Sequence, residues 1–425
     1  MIYTHLRRNV AGILTDFVGF GTALGFIGFD TLLPLLTFAL TGNEALVGLI
    51  GTLWIGFWLL PQLAAGRWLA GRPRKKPVMI GAAAVSRASL CLYVALLALG
   101  GPLDRGLAFA GLVAMVVVFR GLDSVAAVAW FDIVSKTLPS QVRSRVFGAG
   151  QALANVFRFG ASLVVTAAIY GGLVYPDSFA MLYGFAAIAL ALSLVGLLAL
   201  REPVEHAVAG ASMSDQMSLL AHAVHVLRKD RSFRQVTIVR LMVGLFDLAR
   251  PQYIVHATNE LGLPASNIGL FIAAQTIGGI LGSIALGQLS ERKGTTAVIR
   301  VTAFLAVSAP LIALALQAFG HGQPTLAAAG YVVVYVLIGA LDASFLLGFL
   351  VYVLDIAPPG ERPAYTGLAN TIAGAIVIAP AIGGIILQLT SYPALFLSAA
   401  VGGAAAMLGA RRLPAAAPAA DRIEA

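Results

Sequence analysis

Apolar residues run along this chain in long blocks, and the polar ones collect in short gaps between them. Twelve blocks occupy approximately residues 10–40, 45–66, 77–100, 106–134, 145–171, 178–200, 235–258, 266–289, 296–319, 325–356, 364–389 and 392–411. Each reaches or exceeds the roughly 20 residues that a helix needs to cross a bilayer. No period-two alternation runs through them, and lipid excludes unpaired backbone groups, so the blocks predict membrane-spanning α-helices rather than barrel strands. The first block is too long for one straight span, and Asp16 reads as part of an interfacial turn before it. The opening "MIYTHLRRN" leads into an apolar stretch much longer than a signal-peptide core, so no cleaved leader is expected.

Composition agrees with that pattern. Of the 425 residues 59% are hydrophobic and 11% charged, whereas soluble domains carry roughly 25% charge. The single cysteine, Cys91, excludes an intrachain disulfide. The net charge of +9 is unevenly placed, and its densest run is "GRWLAGRPRKKP", Gly66 to Pro77. With the N-terminus inside and the spans alternating, most of the 28 Lys and Arg fall in cytoplasmic gaps. That is the positive-inside pattern, and it predicts a multi-pass protein of the cytoplasmic (inner) membrane with both termini cytoplasmic. Basic residues dispersed over many short gaps also argue against a nucleic-acid surface.

The one long hydrophilic connection, about 201–234, divides the blocks six and six. It predicts a six-helix bundle over 1–200, a cytoplasmic linker over 201–234 and a second six-helix bundle with a short tail over 235–425. Within the linker, "MSLLAHAVHVL" has helical apolar spacing, and fits either an amphipathic helix on the membrane surface or a solvated one. The two halves repeat at an offset of about 220 residues. Gly48 aligns with Gly269 and Gly66 with Gly287; "LDS…LPSQVRSRVFG" faces "LDA…APPGERPAYTG", pairing Asp123 with Asp342 and Arg143 with Arg362.

Over essentially its whole length the sequence resembles the major facilitator superfamily. That family has a loop motif between spans two and three, G-x-L-x-D-R-x-G-R-K, with a weaker copy between spans eight and nine. Here "GQLSERKGT" matches the second copy through Gly287, Leu289, Glu291, Arg292 and Gly294, while "GRWLAGRPRKK" keeps Gly66 and the basic run but has Ala70 in place of the acid. The stretch "FRGLDSVAAVA" is similar to the R-x-x-Q-G motif of proton-coupled members, with Asp123 for Gln and Ser124 for Gly. The glycine- and proline-rich motif of drug antiporters is not matched in span five, where Arg158 intrudes. "WFDIVSKTLPSQVRSRVFG" resembles bacterial members without an assigned substrate. The resemblance implies two six-helix bundles, with spans one, four, seven and ten lining a central cavity.

Ionisable groups deep in a span cost at least about 2.5–3.5 kcal/mol each, so those retained need a reason. Counting 1.5 Å per residue from the cytoplasmic ends, Arg120, Asp123, Arg158, Asp247, Arg250 and Asp342 lie at depths of about 16–22 Å. "RGLD" and "DLAR" each set an Arg and an Asp three residues apart, within reach on one helix face. Such pairs fit a cavity that meets a solute and a proton, or a structural salt bridge. Asp123 and Asp342 lead as proton carriers, followed by Asp247. Asp30, Asn155 and Gln275 are further candidates to line the cavity. Arg87 reads as paired or snorkelling, and Trp54, Trp58 and Trp68 as packing residues. At the cytoplasmic ends, Arg72 or Arg74 beside Asp132, and Glu291 and Arg292 beside Asp355, are expected to form gate latches, or else to anchor the membrane face.

Neither a phosphate loop, a zinc motif nor a nucleophile elbow occurs, and His206, His222 and His225 lack further ligands. The expectation is a non-enzyme without cofactor or metal: a monomeric, proton-coupled secondary transporter of a small-molecule substrate in the lipid bilayer, without nucleic acid. An Arg/Asp cavity suits an anionic or zwitterionic solute. The alternatives are a drug or metabolite exporter and a non-transporting sensor or assembly factor.

Overall fold

The computed structural model describes residues 5–70, 72–99, 104–170, 176–203, 230–357 and 362–414. The linker helix expected at 217–227, with His206, His222 and His225, lies outside them, as does the end of the tail. No strand occurs among the described residues. They form two compact units: Met1–Asn43, Ile50–Ala211 and Ile268–Ile272 in the first, and Glu44–Leu49, Ser212–Asn267 and Ala273–Ala425 in the second.

The first eight helices are α1 (Leu6–Ile27), α2 (Leu32–Thr41), α3 (Glu44–Leu59), α4 (Pro61–Ala70), α5 (Lys76–Leu99), α6 (Arg105–Thr137), α7 (Ser140–Tyr170) and α8 (Asp177–Ala199). The first apolar block is split at Gly28, whose φ of 59° suits glycine and ends α1 before α2 begins. The second block is interrupted at Leu60, and Pro61 opens α4, where its missing N–H costs nothing. Asp16 does not lie in an interfacial turn. It sits in the middle of α1, half-buried, and accepts a hydrogen bond from Ser193 on α8.

Helices α1 and α8 touch backbone to backbone. A Cβ on Gly12 would stand 2.7 Å from the Gly196 carbonyl oxygen, and one on Gly196 would stand 2.6 Å from that of Gly12. Close helix approach through small residues is the usual packing in lipid, where no hydrophobic drive separates helix from solvent. Gly196→Leu is therefore expected to destabilise the first unit by at least about 1–3 kcal/mol, the usual cost of overpacking. Thermal unfolding in detergent reads this, and an unchanged melting temperature would contradict the seam.

The basic loop that precedes α5 is stitched to the end of α8. The Glu202 carboxylate accepts from the backbone N–H of Lys75 and Lys76, at 2.8 Å each, and so caps α5. In return Lys76 Nζ donates to the Leu198 and Leu200 carbonyls, and Arg8 Nε to that of Ala199. Part of the chain's scarce charge thus satisfies orphan carbonyls at a helix C-terminus.

The remaining helices are α9 (Arg231–Gly244), α10 (Gln252–Val255), α11 (Asn267–Lys293), α12 (Thr295–Phe319), α13 (Pro324–Ser344), α14 (Val351–Ile356), α15 (Arg362–Ala373), α16 (Ala379–Leu389) and α17 (Tyr392–Arg411). Eleven helical segments among the described residues are long and apolar enough to cross a membrane. The twelfth, expected as one helix over 235–258, is broken instead. Beyond Gly244 the chain makes a 3-10 turn over Leu245–Leu248, then α10, then a π-helical turn over His256–Glu260. Pro251 accounts for the break, because it lacks an N–H and its ring would collide with the carbonyl of residue 247 in a continuous helix. Asp247 and Arg250 occupy that interruption. The tenth block is likewise interrupted by a π segment over Phe345–Leu350, and the eleventh by a 3-10 segment over Gly374–Ile378.

Candidate functional site

In the first unit, five polar side chains from four helices form an enclosed network in which two arginines balance two aspartates. Arg120 and Asp123 on α6 pair at 3.7 Å across one helical turn. Arg120 Nε also donates to the Trp54 carbonyl at 3.0 Å, and its guanidinium lies 4.5 Å from the Trp54 ring and 5.5 Å from that of Trp58. Trp54 in turn stacks between Phe29 and Phe119. The two tryptophans are therefore more than packing residues: they form a cation–π seat that fixes the arginine. Asp123 is 7% exposed and within electrostatic reach of Arg87. Arg87 on α5 donates to Ser193 Oγ at 2.8 Å, and Ser193 donates to Asp16 at 2.6 Å. Arg87 also donates to the Ala83 carbonyl at 3.1 Å, so it is paired inside the unit rather than snorkelling.

The remaining candidates of this unit sit apart from the pair. Asp30 is buried in the turn between α1 and α2. Asn155 and Arg158 are half-buried on α7. The stem of Arg158 lies against α1, its Cγ 3.2 Å from where a Gly25 Cβ would be.

The second unit holds a cluster of another kind. Arg250, in the interruption after α9, donates to Asp342 on α13 at 2.8 Å and pairs with Asp247 at 3.7 Å. Gln275 on α11 donates to the same Asp342 oxygen at 3.4 Å. Two carboxylates share one guanidinium, which leaves the triad with a net charge of −1. Exposure separates its members: the Arg250 and Asp247 side chains are 12% and 18% exposed, but that of Asp342 is 41% exposed. Asp123 in the first unit, its partner in the internal repeat, has a side chain only 10% exposed.

Two features of this unit were not singled out from the sequence. Arg240 on α9 donates to Asn370 Oδ1 at 3.2 Å and to the Ala369 carbonyl at 3.5 Å, both on α15. His256, fully buried in the π turn, has Nδ1 against the Tyr331 hydroxyl and Nε2 against Gln317 Oε1. Gln317 Oε1 can only accept, so the Nε2–H of His256 donates to it. Gln317 also donates to Glu260 at 3.4 Å, and the Tyr392 and Phe396 rings lie 4.6 and 5.0 Å from the imidazole. The cluster pins the π turn to α12 and α13.

The fold has known parallels. It superposes on a variant of the nucleoside transporter NupG with a TM-score of 0.72 at 14% identity, covering 96% of this chain and 99% of that one. A bacterial homologue of the iron transporter ferroportin in an inward-facing state gives 0.70 at 12% identity, with 96% and 99% covered. A D-xylose–proton symporter gives 0.67 at 15%, with 97% and 99% covered. At these identities the likeness concerns the fold. No curated protein matches at the sequence level. A family profile described as the Major Facilitator Superfamily matches residues 236–424. The sequence likeness to that superfamily therefore covers the second half of the chain.

It is an all-α, multi-pass membrane protein. The superfamily loops expected to latch the cytoplasmic face are arranged differently from the sequence reading. Asp132 is bridged by Lys75 at 2.6 Å and Lys136 at 2.7 Å, rather than by Arg72 or Arg74. Arg72 lies 4.0 Å over the Trp68 ring instead, and Arg74 is exposed. A lysine at the start of α5 thus supplies the partner of the α6 carboxylate. In the second loop Glu291 and Arg292 are exposed, and Asp355 accepts from Thr295 Oγ1 at 3.1 Å.

Proposed function

We propose that this protein is a secondary active transporter, a monomer that moves a small solute across the cytoplasmic membrane by alternating access, coupled to protons. Both termini face the cytoplasm in this reading. The observation that carries it is the triad of Arg250, Asp247 and Asp342. A net negative charge kept at membrane depth is costly, and such groups typically mark ion or substrate paths. Discontinuous helices are where secondary transporters build those paths, and two members of the triad lie in one.

The exposure of Asp342 makes it the proton carrier, ahead of the enclosed Asp123. Protonation neutralises the triad, releases the 2.8 Å contact and leaves Arg250 to Asp247. A unit ion pair at 4 Å is worth about 4 kcal/mol at an effective dielectric of 20. Inverting a two-state equilibrium from 1:99 to 99:1 takes about 5.5 kcal/mol. Asp342 is 41% exposed, so water screens its pair below that figure; the proton supplies a part of what a switch of conformation requires, and the solute supplies the rest. Lys75 and Asp132 form the cytoplasmic latch on this account, and Lys75→Ala should raise labelling of cytoplasm-facing engineered cysteines.

The enclosed network of the first unit, with Arg120 wedged on two tryptophans, is what a non-transporting relative would keep. Proteoliposome flux decides between the readings. A panel of anionic, zwitterionic and neutral solutes under an imposed pH gradient should reveal gradient-driven accumulation of at least one. Absence of flux across the panel, in protein that remains folded, would leave the sensor reading.

A further inference from the structure

We infer that Arg240 and Asn370 form an anion-recognising site in the second unit, which takes the carboxylate or phosphate of a monoanionic solute. The inference rests on the transporter reading and adds the substrate class to it. Arg240 lies five residues into the seventh block, about 8 Å along the helix from residue 235, so its charge is within the span on the cytoplasmic side. The face of α9 that carries it is an inner one. At about 100° per residue, Arg240 shares its side of the helix with Val236, Val243 and Gly244, all buried, and lies opposite Ile238, which is 49% exposed. That side abuts the eleventh span, where a Cβ on Gly244 would run into Ile376. The guanidinium is therefore held inside the unit, away from lipid.

Its partners do not neutralise it. Among the described residues both acceptors are uncharged, both contacts are longer than usual for a charged donor, and both use Nη1 alone. No carboxylate lies in salt-bridge range of Arg240 there, whereas Arg250 has two. A guanidinium presents five N–H donors in a planar fork that matches carboxylate and phosphate oxygens in pairs. Asn370 is exposed beside it and offers an amide N–H₂ to the same ligand. The charges of this unit then have complementary tasks: Arg240 lacks an anion, and the triad lacks a proton. Carrying one of each is electroneutral.

Paired probes test this on the full-length protein in detergent. Benzoate, lactate and dimethyl phosphate are each compared with an uncharged twin, respectively benzamide, lactamide and trimethyl phosphate, by thermal unfolding. At least one anion should raise the melting temperature by about 2 °C or more at saturation while its twin leaves it unchanged. The carboxylate and phosphate arms separate the two sources of the anion. Asn370→Asp, which supplies an internal carboxylate, should raise the ligand-free melting temperature and abolish the response; Arg240→Gln should abolish it, and Arg240→Lys should retain part of it.

Equal stabilisation by the twins, no response to any anion in wild type, or an undiminished response in Asn370→Asp would each overturn the site. Those outcomes are distinct from failure of the transporter reading. Anion stabilisation without any flux under a pH gradient would remove transport and keep the site, and gradient-driven flux of a neutral solute would do the reverse.

Discussion

Asp342→Asn should abolish solute accumulation driven by a pH gradient, by at least about a hundredfold, while preserving exchange of solute across the same liposome membrane. Exchange needs the carrier to reorient loaded on both sides, whereas accumulation needs a proton to be taken up and released. Asn keeps the shape of Asp342 and can still accept from Arg250 and Gln275, both within 3.4 Å, but it binds no proton. The substitution also leaves the triad neutral, with Arg250 on Asp247. The same change at Asp123 should have a smaller effect on coupling, because that carboxylate is enclosed and held by Arg120 with Arg87 in electrostatic reach. Tracer uptake and counterflow measured on the same vesicles separate the two outcomes. Loss of both exchange and accumulation in Asp342→Asn would point to a structural role instead.

Arg250→Ala should be the most destabilising of the charge substitutions. It leaves Asp247 and Asp342 without their shared cation, and breaking a buried pair by removing one partner costs about 3–5 kcal/mol. The 41% exposure of Asp342 places the expected loss near the lower end, about 3 kcal/mol, since water screens that carboxylate. The triple variant separates electrostatics from packing. Arg250→Ala combined with Asp247→Asn and Asp342→Asn removes every charge of the cluster and should recover most of the lost stability. Neutralising a whole cluster is commonly cheap where orphaning one member is not. Thermal unfolding of the two variants side by side reads the difference. If the triple variant melts as low as Arg250→Ala, packing around the arginine stem governs the effect, and the electrostatic account of the triad fails.

The helical character of the chain was legible because hydrophobic run length in a membrane protein is dictated by bilayer thickness. Interruptions were harder to see. The seventh block reads as a continuous apolar run, yet Pro251 four residues after Asp247 carried the signal for its break. Gly28 marked the split of the first block in the same way. Depth along the spans placed Asp123, Asp247, Arg250 and Asp342 on the candidate list, and the i,i+3 pairs Arg120–Asp123 and Asp247–Arg250 form as spacing suggests. The Arg250–Asp342 contact joins residues 92 positions apart, and nothing in local periodicity encodes such a meeting.

Errors of assignment had a common physical source, which is that a partner across a helix seam is invisible to a one-dimensional reading. Asp16 was placed at an interface because its hydrogen-bond donor, Ser193, comes from α8. Trp54 and Trp58 read as packing residues in one dimension because the guanidinium that rests on them is carried by α6. Asp132 was assigned an arginine of the preceding basic run, and geometry selected Lys75 instead. Arg240 drew no attention because an arginine among apolar residues is expected to find a carboxylate, and its neutral surroundings emerge only in three dimensions.

The central claim is that Asp342 takes up and releases a proton with each passage of solute, and it is tested most directly by the pH inside sealed vesicles. Liposomes reconstituted with wild-type protein and loaded with a pH-sensitive dye should change internal pH when an accepted solute is added outside without any imposed gradient. Vesicles containing Asp342→Asn should show no change although solute still exchanges. A pH response of equal size in both, or solute entry through wild type with no movement of protons, would contradict the account.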